Sequence, residues 1–434
     1  MIAAAANVAG LSSVCDNINH LIDLVNFLVI SQGQPTRRRG HVASQARREG
    51  ARDARRTLCT SSVAGARSNE AWRSKLTPSE GVLQCRSMSD QVIRVGFVGA
   101  GKNTRLHHLP KLKAQPGVEL VTVANRSRES SERVAKEFGV ARVAADWREV
   151  VDAPDVNAVC IGTWPYMHAE ITIAALERGK HVLCEARMAM NAAEGRRMLE
   201  ASRRAPNLVA QLVPAPHTLE VDSTLSSLLA DGYAGQVLAV ELQAAQGRFV
   251  EPEAPLHWRQ DVSLSGHNIL NMGIWYEAMM RWLGTARRVT TMAKIAVPRR
   301  RDDSGAWHDV RVPDHVDILA EYRSGAVGHL RFSAITALGP ANEAWIFGSE
   351  GTIRLEADAR RLSGGRRGDK ELREIPIPAE KRIGWRVEEE FVNAIRGREK
   401  IARTGFEDGV RYMEFTDAVT KSAGSGQAVD VLDL

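Results

Sequence analysis

Gly99 and Gly101 close an apolar, strand-like run over residues 92–98 and lead into a helix-like segment. A turn of this kind brings backbone N–H groups and a helix N-terminus up to a pyrophosphate, so it can hold a dinucleotide. Gly99 permits the tight turn, and Gly101 leaves no side chain between the backbone and the phosphates. Lys102 and Asn103 continue the turn and belong to the same expected coenzyme contact, while Thr104 stands at the third position of the Gly-x-Gly-x-x-Gly fingerprint. A second strand-like run, Val118–Ala124, ends about twenty residues later, where such folds place the reader of the ribose. There the chain reads Asn125-Arg126-Ser127-Arg128. A neutral amide followed by two guanidiniums and a hydroxyl suits a 2′-phosphate and favours NADP over NAD. The plainer alternative assigns Arg126 and Arg128 to the solvated start of the next helix, 129–138.

A chain of 434 residues is long enough for two domains and a large core. Of its 58 basic and 52 acidic residues, 1–87 carry twelve and six, and 88–434 carry forty-six of each. The body is neutral, so the basic balance of the whole chain gives no reason to invoke nucleic acid. Residues 1–87 hold Arg37-Arg38-Arg39, Arg47-Arg48 and Arg55-Arg56 among Ala, Ser and Gly, the pattern of a disordered extension. It reads either as a targeting segment, against which Asp16, Asp23, Glu49 and Asp53 count, or, preferably, as sequence ahead of a start at Met88. The apolar stretch 21–30 contains Asp23 and Asn26 and is too short to span a bilayer. Cys15, Cys59 and Cys85 lie in the extension, whereas Cys160 and Cys184 occupy apolar runs expected to bury them as free thiols. A cytoplasmic protein with no metal site and no membrane partner is expected.

Short apolar runs at 92–98, 120–124, Ala158–Ile161 and His181–Cys184 alternate with helix-like segments, which argues a doubly wound parallel sheet over 88–213. After Pro214 and Pro216 the pattern turns β-rich, with hairpin-like turns at 323–325 and 348–351. The expected fold class is α/β: a Rossmann domain, then an α+β domain over 214–434 with a large, mainly antiparallel open sheet. A helix over 266–283 is expected on one face of that sheet, with further helices at 386–396 and 407–422. The other face has no evident cover, which predicts a homodimer or higher oligomer through the open sheet.

Several stretches, in this order, resemble the Gfo/Idh/MocA family (glucose–fructose oxidoreductase, inositol dehydrogenase, rhizopine catabolism) across 88–434. They are Gly162-Thr163-Trp164-Pro165 with His168, the run 175–185 ending in Glu185, His257-Trp258-Arg259, Gly273, Gly348-Ser349-Glu350-Gly351 and Gly405-Phe406-Glu407-Asp408-Gly409. The resemblance implies pyridine-nucleotide oxidation or reduction of sugars, polyols and related compounds. It implies Thr163, His168 and Glu185 near the nicotinamide half of the coenzyme, and His217, Trp258 and Arg259 toward a small-molecule substrate. The family's Glu-Lys-Pro is here Glu185-Ala186-Arg187, so alanine stands where the family's lysine positions or protonates the reacting oxygen. Arg187 supplies charge, but with a pKa above about 12 it is a poor proton shuttle. The family's aspartate and histidine are replaced by Asn271 and Trp275. Asparagine still hydrogen-bonds a polyol, whereas tryptophan cannot take a hydroxyl proton and serves as an apolar wall or stacking surface. His267, Asn271 and Trp275 are four residues apart, so a helix through them would put His267 on the same face as a replacement base.

Two functions follow. One is an NAD(P)-dependent oxidoreductase, NADP preferred, acting on a sugar-, polyol- or cyclitol-like substrate, with His267, Arg187 and Asn271 as the catalytic candidates. The other is a nucleotide-binding member without redox turnover, since an unreplaced acid/base costs about a hundred- to ten-thousandfold in rate.

Overall fold

The computed structural model describes residues 92–339 and 342–432. The expected extension over 1–87, with Cys15, Cys59 and Cys85, lies outside the described residues. Strands β1 (Ile93–Val98), β2 (Val118–Ala124), β3 (Arg142–Val143), β4 (Ala158–Ile161), β5 (His181–Cys184) and β6 (Ala210–Leu212) form a parallel sheet in the order β3-β2-β1-β4-β5-β6. Their Val, Ile and Leu side chains are buried on both faces, which is why these runs read as continuous rather than alternating. The intervening helices start where polar caps permit. Ser127 accepts from the Ser130 N–H, Asp146 from Arg148 and Glu149, and Asn191 from Glu194. The strand order reverses between β1 and β4, and that switch point opens a crevice at the carboxyl ends of the strands.

The second sheet has nine strands. In chain order they are β7 (Val237–Ala245), β8 (Ala286–Lys294), β11 (His315–Tyr322), β12 (Val327–Ser333), β13 (Glu343–Gly348), β14 (Gly351–Glu356), β15 (Arg361–Arg366), β16 (Arg373–Ile375) and β17 (Val429–Asp430). A separate pair joins β9 (Arg299–Arg301) to β10 (Trp307–Asp309). The sheet order is β16-β15-β14-β13-β7-β12-β11-β8-β17, antiparallel except for the β7–β12 pair. One face packs under helices Met272–Leu283 and Phe406–Ser425, where Tyr276 stacks on Phe415 at 3.7 Å and Ser422 Oγ accepts the Thr291 N–H at 2.9 Å. On the other face Met292, Leu319 and Val327 are exposed.

Two helices depart from expectation. The helix predicted over 266–283 begins only at Met272. Gly266 has φ +64°, and a Cβ there would lie 2.2 Å from the Met190 carbonyl oxygen; Leu270 also has positive φ. The 266–271 stretch is therefore a packed turn, not a helical one. Helix Val387–Ile395, read as part of the second domain, returns to the first sheet: Phe391, Val392 and Ile395 share a core with Ile93, Val95 and Phe97. Cys160 and Cys184 are free thiols, fully buried. Among the described residues no helix is long and apolar enough to cross a membrane.

Candidate coenzyme and substrate site

The turn after β1 is held from both sides of the switch point. Gly99 N–H donates to the Ala124 carbonyl at 2.8 Å, and Gly162 N–H to the Val98 carbonyl at 2.8 Å. Gly99 has φ +81°, and a Cβ on it would fall 2.6 Å from the Thr163 nitrogen, so glycine alone fits. At Gly101 the nearest atom to such a Cβ would be 3.9 Å away, leaving that stretch of backbone open to the crevice. The crevice is about 840 Å³ and is lined by Gly99, Gly101, Arg126, Arg133, Thr163 and Trp164, among others. Thr163 Oγ1 is buried there without a hydrogen-bond partner among the described residues. A backbone cradle, an orphaned hydroxyl and two guanidiniums fit a dinucleotide.

The ribose-end residues divide differently from the sequence expectation. Asn125 Oδ1 accepts the Ala100 N–H at 2.7 Å and its Nδ2 donates to Ser130 Oγ at 3.0 Å, so the side chain shapes the glycine turn. Arg126 lies over the Trp164 ring at 4.6 Å from its centroid. Arg128 is 76% exposed and pairs with Glu132 on its own helix, outside the crevice lining. Arg133 lines the crevice in its place. Once Ser127 is recognised as the N-cap, Ser130 and Arg133 fall on one helical face, and that spacing was the available signal.

Beneath the turn lies a buried charge cluster that sequence reading missed. His108 is wholly buried, with Nδ1 2.7 Å from Glu388 and Nε2 2.9 Å from Glu185. Burial works against its charge, but the hydrogen bonds to the two carboxylates prevail and raise its pKa to about 9. Asn103 also donates to Glu185, and Trp385 Nε1 to Glu388 at 2.8 Å. Nothing near His108 in the sequence announces Glu388, 280 positions away.

At the carboxyl end of β5, Arg187 is 4% exposed and its side chain packs over Gly273. Its Nε and Nη2 have no hydrogen-bond partner among the described residues. Burial and the nearby Arg259 charge push its pKa down to about 9, so it is cationic at neutral pH. His168 is buried with Nδ1 2.9 Å from the Arg187 carbonyl oxygen and Nε2 2.9 Å from that of Thr163. It ties the loop after β4 to the loop after β5, and both ring nitrogens are engaged on backbone. Asn271 stands at the N-cap of the helix Met272–Leu283 without a side-chain capping bond, and Trp275 is buried with no partner for Nε1 among the described residues. His217 stacks on Trp275 with ring centroids 5.5 Å apart and planes 7° apart; its edge is exposed to solvent, and the packing around the rest of the ring lowers its pKa.

His267 is not where a shared helical face would put it. It precedes the helix of Asn271 and Trp275, in the turn after Gly266, and its Nδ1 lies 2.6 Å from Asp417. That hydrogen bond raises its pKa. Trp258 and Arg259 form a single helical turn, and Trp258 stacks on Trp164 at 5.4 Å while Arg259 lies 4.3 Å over Trp258. The column Arg126–Trp164–Trp258–Arg259 thus bridges the coenzyme crevice and the segment before Gly266.

Residues 93–211 match the oxidoreductase family with an NAD-binding Rossmann fold, and residues 223–354 match the Gfo/Idh/MocA C-terminal domain. The chain belongs to this family. Levoglucosan dehydrogenase of Pseudarthrobacter phenanthrenivorans is 27% identical over 296 residues, covering 62% of this chain and 75% of that protein. A 1,5-anhydro-D-fructose reductase of Ensifer adhaerens is 26% identical over 362 residues, covering 78% of this chain and 98% of that protein. The solved structure of levoglucosan dehydrogenase in complex with NADH aligns with a TM-score of 0.69 at 26% identity, over 79% of this chain and 100% of that one. The family's coenzyme is NAD or NADP, and the crevice lies at the β1–β4 switch point, where folds of this kind hold a dinucleotide.

Proposed function

We propose that the protein is an NAD(P)-dependent oxidoreductase, NADP preferred, acting on a hydroxyl or carbonyl of a sugar-, polyol- or cyclitol-like substrate. The reading rests on the cradle around Gly99, a backbone turn that no side chain can occupy, opening on a crevice with an orphaned Thr163 hydroxyl. Arg126, Arg133 and Ser127 are the groups that would hold a 2′-phosphate. When bound, the nicotinamide supplies or takes up the hydride, so the protein's part is to orient the substrate and move one proton. His217 is our candidate for that proton. It is the imidazole stacked against Trp275, the position where the resemblance implies a histidine, whereas His267 is engaged with Asp417. Asn271 supplies an amide for a substrate hydroxyl. The outward face of the nine-stranded sheet, where Met292, Leu319 and Val327 are exposed, is the surface through which two copies would associate, and the two buried thiols suit a reducing, cytoplasmic setting.

Thermal unfolding with NADP, with NAD and with neither tests the coenzyme reading. A nucleotide at about a hundred times its dissociation constant adds close to 2.7 kcal/mol. The larger stabilisation is expected with NADP, and Arg126→Ala combined with Arg133→Ala should erase the difference. No stabilisation by either nucleotide overturns the reading. Stabilisation without turnover across a panel of sugars and polyols moves the protein to the non-catalytic alternative.

A further inference from the structure

A buried guanidinium with two nitrogens unpartnered among the described residues is the least expected feature of the substrate end. Buried charges are ordinarily paired, because an isolated one costs several kcal/mol in a low-dielectric interior. Arg187 is 4% exposed, and two of its three nitrogens lack a hydrogen-bond partner among the described residues. The charge closest in effect to it is another cation, Arg259. Arg259 touches the face of Trp258 and makes no ion pair among the described residues. Glu185 lies within electrostatic reach of both arginines, yet it forms an ion pair with neither; it is bound by His108 and Asn103. Counting His108 as protonated, the group formed by Glu185, Glu388, His108, Arg187 and Arg259 carries more positive than negative charge.

We propose that the substrate of this oxidoreductase bears an oxyanion, a carboxylate or a phosphate, received between the guanidiniums of Arg187 and Arg259. The inference rests on the reading of the neighbouring crevice as the coenzyme site. It also accounts for arginine beside Ala186: the residue gives up proton shuttling and offers a planar fork of N–H donors that matches an oxyanion. A neutral sugar would leave that fork desolvated and unpaired. An anionic one completes it.

The test is calorimetric titration of the full-length chain, with and without NADP, using D-glucose, D-glucuronate and D-glucose 6-phosphate as probes. These share a ring and differ in the group at carbon six. At least one anion should bind about ten- to a hundredfold more tightly than glucose, the range for a charge-assisted hydrogen-bonded pair. Arg259→Gln, on an exposed side chain, and Arg187→Lys, which keeps the charge and removes the fork, should reduce that preference; which anion leads separates carboxylate from phosphate. The proposal is overturned if neither anion binds more tightly than glucose, or if the preference survives in both variants. An anion preference without any effect of NADP or NAD on thermal unfolding would sink the coenzyme reading, and with it the role of the anion as a redox substrate, leaving only an anion-binding site at Arg187. Nucleotide stabilisation without an anion preference would overturn the proposal and leave the coenzyme reading standing.

Discussion

His217 and His108 both have shifted pKa values, in opposite directions, and each yields a measurable pH signature. If His217 accepts the substrate proton, oxidation needs its neutral form. The packing around its ring lowers its pKa from 6.5, so kcat/KM should be level above that value and fall as pH drops through the lowered one. His217→Asn should lose about a hundred- to ten-thousandfold in kcat/KM and abolish the acidic limb, read from a pH–rate profile. His108 acts on stability with the opposite sign. Its folded pKa, about 9, lies above the ordinary 6.5, so its contribution is complete below 6.5 and disappears as pH rises through 9. Glu185 and Glu388 are held below the usual carboxylate range by His108 despite burial, so their contribution is lost as pH falls toward acid. Urea unfolding should therefore show His108→Asn less stable than wild type by on the order of 3 kcal/mol near pH 6, with the gap closing toward pH 9. Residue types told the tight turn after β1 from sequence, because glycine has a steric reason to be there. They did not tell which arginine faces the crevice, since Arg128 and Arg133 differ only in helical phase, nor that His108 finds a carboxylate on a distant helix.

Local signals placed most elements where they occur, and failed where tertiary packing overrode periodicity. The parallel strands other than the two-residue β3, the helices capped by Ser127 and Asn191, and the hairpins β11–β12 and β13–β14 were readable because each carries an apolar run bounded by a cap or a tight turn. β15 was not, since Gly364 and Gly365 dilute its pattern; a Cβ at Gly364 would meet Tyr233 at 2.7 Å, so packing against a distant ring selected the glycine. The 266–271 segment has a four-residue spacing that mimics a helix, but Gly266 adopts a backbone conformation that side chains resist, pressed against Met190. Gly266→Ala should accordingly cost at least about 2 kcal/mol by chemical denaturation, from strain and a backbone clash together. Asp146→Ala, which removes the acceptor for two N–H groups at an exposed helix start, should cost about 1 kcal/mol. The ordering of the two losses is the check: an equal or smaller cost at Gly266 would mean that the turn yields easily and that a helical start at 266 is accessible.

At the scale of the whole molecule, the sequence division at 213/214 follows the change of pattern but not the core. Val387–Ile395 completes the hydrophobic packing of the first sheet and carries Glu388 to His108, so the coenzyme side depends on residues some 280 positions later. The same view isolates the uncovered sheet face. Alternation along β11 puts Leu319 outward between Asp317 and Glu321, and the register brings Met292 opposite Asp317 and Val327 opposite Glu321. Asp317 is already satisfied by His315, Arg331 and His329, so the carboxylate beside Met292 and Leu319 is paired within the face and these apolar side chains are left to a partner. Leu319 is 61% exposed and Met292 77%. A two-fold axis through such a face would pair each patch with its own copy, the closed arrangement commonest among homo-oligomers. Light scattering on the full-length chain should then give a mass above that of one chain, and Leu319→Arg, which places a charge at the centre of the patch, should reduce it to a monomer. The variant should keep the wild-type thermal shift with NADP, because Leu319 belongs to the outer face of the second sheet and the crevice to the first. Loss of both together would mean unfolding rather than dissociation, and an unchanged mass would exclude this face as the interface.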